Sequence, residues 1–171
     1  MSIDIKQLRF FLHLDVPPLD NVPDEWIEAA LGRNKPLSDE FGTVSLYRLG
    51  ESVLKLIITE FLFRHRDLIS IQQANEIRSE MFRNRQYIFT CILNEKGICS
   101  ILKTTPEGCK NYFFNIVGVI YWSIYTVEDP YVTLYDWFIS LFKMEDLYRM
   151  ILNKQRISCQ HREETIILSE P

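Results

Sequence analysis

Residues 44–64 read VSLYRLGESVLKLIITEFLFR. Apolar side chains at Leu46, Leu49, Val53, Leu54, Leu56, Ile57, Ile58, Phe61, Leu62 and Phe63 recur at helical spacing and cover more than a narrow stripe. Only Arg48, Glu51, Lys55, Thr59, Glu60 and Arg64 break the pattern. A helix that is apolar around most of its girdle is buried on several sides, so it is either the centre of its domain or a face between subunits. Gly50 stands out, because glycine inside a helix costs up to about 1 kcal/mol. Close approach of a second backbone is a physical reason to keep it there.

Helical periodicity extends outward in both directions. Residues 3–12 suit a first helix that packs on the domain, and Pro17, Pro18 and Pro23 break the chain after it. Pro23 and Asp24 introduce a short helix through Trp26, Ile27, Ala29, Ala30 and Leu31, followed by a loop over 32–44. Residues 71–93 read as helix. Residues 87–104, YIFTCILNEKGICSILKT, also suit a hairpin turning at Asn94–Gly97, but helix is preferred. Thr104–Gly108 is a turn, and 109–125, CKNYFFNIVGVIYWSIY, is a second buried helix ended by Pro130. A long amphipathic helix spans 131–152, and 153–171 is a polar tail in which Thr165–Leu168 is a short strand or a loose end. The expectation is one all-α domain over 1–152 with a C-terminal tail.

Composition supports a single packed unit. Of 171 residues, 47% are hydrophobic and 13% aromatic, enough for a real core and more aromatic surface than one small domain easily hides. Nineteen Lys and Arg face 23 Asp and Glu, a net charge of −4, which disfavours a free-standing nucleic-acid binder. Cys91, Cys99, Cys109 and Cys159 lack metal-ligand spacing and read as reduced thiols of an intracellular protein. His13, His65 and His161 are isolated, so no metal or cofactor is expected. No apolar run is long enough to span a membrane.

Three segments carry a family resemblance. Leu49-Gly50-Glu51-Ser52-Val53-Leu54 resembles the ribonuclease III signature, usually ERLEFLGDSVL. Ala30-Leu31-Gly32-Arg33-Asn34 is similar to the ALTHRS stretch before it, and Asn111 to Tyr121 to the DxFEALIGAIY helix after it. Ser79 to Arg85 falls where the family has S-x-L-V-N-N-R, which favours helix there. The resemblance covers about residues 24–145. It implies an all-α ribonuclease III-like domain that pairs through its signature helix, with Leu49, Gly50, Val53, Leu54, Ile57 and Phe61 at the pairing face.

The resemblance also implies a magnesium site of four carboxylates that cleaves double-stranded RNA. Carried over position by position, the signature glutamate falls on Tyr47, a phenol that is neutral at pH 7, and the signature aspartate on Glu51. The aspartate of DxFEA falls on Asn111 and its glutamate on Phe114; the signature's first glutamate falls on Val44. Residues 109–125 contain no acid at all, so no shift of register restores one. Magnesium wants charged oxygen ligands in near-octahedral geometry, and one lengthened carboxylate does not supply them.

The expectation is a non-catalytic subunit. It would serve dimerisation or protein interaction, with itself or with another ribonuclease III-like chain, in an RNA-processing or ribonucleoprotein complex of the nucleus, cytoplasm or mitochondrion. A divergent endonuclease using Glu51, with Glu107 or a partner's acid, is the alternative. A non-cleaving RNA-binding module is another, with Arg64, Arg78, Arg83 and Arg85 as candidate phosphate contacts diluted by Asp67, Glu76 and Glu80.

Overall fold

A computed structural model describes residues 3–33, 42–82, 87–127 and 129–152. Their regular structure is entirely helical: α1 Ile5–Phe11, α2 Asp24–Ala30, α3 Thr43–Arg64, α4 Ile71–Phe82, α5 Tyr87–Glu95, α6 Ile98–Ile101, α7 Pro106–Ile124 and α8 Pro130–Leu152, with one 3-10 turn at Leu19–Asn21. The tail beyond 152 and residues 34–41 lie outside the described residues. None of these helices is long and apolar enough to cross a membrane.

Local chemistry fixes where the helices begin. Asp4 Oδ1 accepts from the amides of Lys6 and Gln7 at 2.9 and 3.4 Å, capping α1. Ser70 and Gln73 form a reciprocal box ahead of α4: Ser70 Oγ accepts from the Gln73 amide at 3.1 Å, and Gln73 Oε1 accepts from the Ser70 amide at 2.8 Å. Thr105 Oγ1 accepts from the Gly108 amide at 3.2 Å, and Pro106 fills the first position of α7. Pro130 plays the same part in α8, where Asp129 Oδ1 accepts from the Val132 amide at 3.0 Å. Pro130 therefore starts a helix; α7 has already ended at Ile124.

The regular structure in the middle of the chain is helical wherever it is described. The stretch expected to be helical over 71–93 is helical as α4 up to Phe82 and again as α5 from Tyr87, and residues 83–86 between them lie outside the described residues. The hairpin alternative over 87–104 is not adopted. Gly97 takes a left-handed φ of 76°, ending α5 and opening α6 directly.

The core is built on α3 and α7. Leu54 and Ile57 of α3 pack with Phe113, Ile116, Val117 and Ile120 of α7 in one apolar cluster, all 0% exposed. Gly50 and Gly118 stand where the two helices cross. A Cβ on Gly50 would meet the Phe114 carbonyl and sit 2.9 Å from the Gly118 amide nitrogen; a Cβ on Gly118 would meet the Leu46 carbonyl. Backbone lies directly on backbone at this crossing, so the reason inferred for Gly50 from sequence holds. The helix apolar around its girdle is the central helix of the domain.

α8 closes the opposite side with aromatics. Phe113 stacks on Trp137 and meets Phe142 edge-on, and Trp137 Nε1 donates to the Leu12 carbonyl at 2.7 Å. Buried Asn115 Nδ2 donates to the Ala30 carbonyl at 3.0 Å, satisfying an acceptor at the end of α2. Asn115→Ala strands that carbonyl in the core, and a loss of about 1–3 kcal/mol is expected in urea unfolding. An unchanged midpoint would show that water replaces the amide.

Candidate functional site

Of the positions expected to be acidic, Tyr47 and Phe114 come together across the α3–α7 pair, but as something other than a metal centre. Tyr47 and Phe114 place their rings 5.1 Å apart, tilted by 54°, an ordinary attractive aromatic contact. Phe114 is fully buried. One turn along α3, Glu51 is 7% exposed and held on both sides: Arg48 Nη1 lies 3.3 Å from Oε2 and Lys55 Nζ lies 3.0 Å from Oε1. Asn111 is exposed on α7.

These residues do not fit magnesium. A ring pair fills two of the four family positions, and the remaining carboxylate is neutralised by its own helix. Glu107, the other acid considered, is exposed in the first turn of α7, two turns from Phe114, where it complements the helix N-terminus. Among the described residues, no three histidine, cysteine, aspartate or glutamate side chains gather closely enough to hold a metal ion.

Arg48 and Lys55 are 73% and 47% exposed at the side chain, so each pair with Glu51 is worth less than about 1 kcal/mol. Glu51→Gln is therefore expected to lower stability by about 1 kcal/mol in urea unfolding. A gain in stability would mean that Glu51 is strained by burial, as a relic of a charged site would be.

The expected pairing face needs correction. Gly50, Val53, Leu54, Ile57 and Phe61 are buried in the chain's own core, and Leu49 is half-buried against it. An apolar periodicity cannot distinguish a partner from the chain's own helices; here α7 supplies the cover. What α3 turns outward is Arg48, Ser52, Lys55, Leu56 and Phe63, the two apolar ones 56% and 64% exposed.

The basic candidates also separate. Arg64 Nε donates to Glu60 Oε1 at 2.7 Å, and its guanidinium lies over the Tyr135 ring of α8. It is committed to structure. Arg78 is exposed on α4, across a slot from Arg66, which follows Arg64 in the basic group at the end of α3. Arg83 and Arg85 lie outside the described residues.

Cys99 and Cys109 are free and buried side by side, where a hydrogen bond with Cys99 and burial push the Cys109 thiol far up. Neither is placed to act as a nucleophile.

Among the described residues, then, this is an all-helical domain organised on a glycine-tight helix crossing, with an aromatic pair beside it. Comparison with family models, curated proteins and solved structures finds no match.

Proposed function

We propose that the chain is a non-catalytic ribonuclease III-like domain that works as a protein-interaction subunit of an RNA-processing or ribonucleoprotein complex inside the cell. The observation that carries this reading is the Tyr47–Phe114 contact, an apolar pair at two positions where the resembled family needs acids. Glu51, tied to Arg48 and Lys55, supports it. With the chemistry removed, what remains useful is surface. Leu56, Phe63 and Ile71 are each more than half exposed, on a chain whose net charge of −4 disfavours gripping RNA alone.

The partner is a second copy or another ribonuclease III-like chain, meeting the outward side of α3 and its neighbours. Sedimentation of the purified chain, together with the mass of the native complex from its own cell, tests the reading. A dimer or a larger defined assembly is expected. A strict monomer at micromolar concentration with no stable partner in the cell would overturn it.

A further inference from the structure

The end of α3, the turn after it and the start of α4 enclose a slot of about 210 Å³. Leu62, Phe63, Ile69, Ile71 and Ala74 form its apolar wall, with Thr59, Ser70 and Asn75 beside them. Arg66 and Arg78 stand on its rim, and no acidic side chain lines it among the described residues. The Arg66 guanidinium lies over the Phe63 ring, 4.8 Å from its centre; neither arginine has an ion-pair partner among the described residues.

We infer that this slot is the docking site for an acidic amphipathic helix of a partner protein. The inference deepens the interaction reading above and rests on it for the claim that the chain works through partners.

Size and shape point to side chains of a larger partner. The slot is smaller than the roughly 300–1,000 Å³ of small-molecule sites. It does not end at its own walls: Leu56 lies seven residues before Phe63 on the same side of α3, about 10.5 Å away at helical rise. Apolar side chains at i and i+7 of a helix laid along α3 match that separation. Phe63 is 64% and Ile71 83% exposed, a cost in water that a bound apolar face removes.

Charge selects the partner's polar face. On a chain of net −4, two arginines with no ion-pair partner among the described residues, beside an apolar slot, attract carboxylates and repel a basic helix. Protein fits better than RNA here. A phosphate backbone asks for a longer basic track, and the slot's one ring, Phe63, lies under Arg66, whereas single-stranded RNA is held on several stacking rings.

The full chain, immobilised, is used to select peptides from a random phage-displayed library, and the selected peptides are titrated by fluorescence anisotropy. Expected are sequences with apolar residues at helical spacing interleaved with Asp and Glu. Phe63→Glu, Ile71→Glu and the double variant Arg66→Glu/Arg78→Glu each weaken binding by about tenfold or more. These residues are exposed, and circular dichroism checks that each variant is folded. The double variant should instead select peptides rich in Lys and Arg.

Selected peptides without acidic residues, or ones that bind all three folded variants as tightly as the parent, would overturn the inference. So would a mobility shift with RNA that depends on Arg66 and Arg78 while no acidic peptide is enriched. A native complex that persists in all three variants defeats the slot but leaves the interaction reading standing. A monomer without partners defeats that reading itself.

Discussion

Gly50→Ala is expected to destabilise the fold by about 3 kcal/mol or more, and Gly118→Ala by a similar amount. In a chain of this size that lowers the thermal midpoint by roughly 6–12 °C. Helix propensity acts the other way, since alanine is the better helix former by up to about 1 kcal/mol. Sterics decide the sign. The new methyl on Gly50 would sit 2.8 Å from the Phe114 carbonyl carbon and 2.9 Å from the Gly118 nitrogen; that on Gly118 would sit 3.1 Å from the Leu46 carbonyl carbon. All of these are backbone atoms of rigid helices, so relief requires α3 and α7 to separate along their shared core. Gly108→Ala is the control. Its Cβ would meet the Thr104 hydroxyl, which can rotate away, and a change within about 1 kcal/mol is expected. Thermal and urea unfolding followed by circular dichroism read all three. A Gly50→Ala protein as stable as the parent would disprove the close crossing.

Arg9→Ala is expected to cost about 3 kcal/mol or more. The Arg9 side chain is only 13% exposed and holds the segment between α1 and α2 in place. Nη1 donates to the Val22 carbonyl at 2.6 Å and to Asp24 Oδ1 at 2.9 Å. Nη2 donates to the carbonyls of Asp20 and Leu14 at 2.7 and 3.3 Å, with a longer contact to Leu19 at 3.5 Å. Truncation leaves several acceptors without a donor while Leu12, Leu14, Leu19 and Val22 still have to be buried. Arg9→Lys keeps the charge but not the planar fork, so it should recover only part of the loss. Urea unfolding measures both variants. Equal stability of Arg9→Ala and the parent would mean that the segment satisfies its carbonyls with water.

The two residues differ in how far the sequence revealed them. Gly50 was legible because a glycine inside a strongly apolar helix is a local anomaly with few physical explanations. Arg9 was not: apart from Asp24, its acceptors are main-chain carbonyls spread over residues 14–22, and a carbonyl leaves no mark in sequence. The same division runs through the fold. Helix types were readable where periodicity ran long, as in α3, α7 and α8. The sequence leaves the inner face of α3 open between domain centre and partner face, since burial by α7 and burial by another subunit demand the same residues. Charge alone groups Arg64 with Arg78, yet Arg64 is engaged by Glu60 and the Tyr135 ring of α8. The residue types at Tyr47, Asn111 and Phe114 are read directly from the sequence. Which of them touch, and what holds Glu51, needed the structure.

Incubation of the purified chain with magnesium and a long RNA duplex tests the non-catalytic reading most directly. No cleavage products are expected, with either the parent chain or Glu51→Gln. Magnesium-dependent cleavage by the parent, abolished in Glu51→Gln, would contradict it and make Glu51 part of a working site.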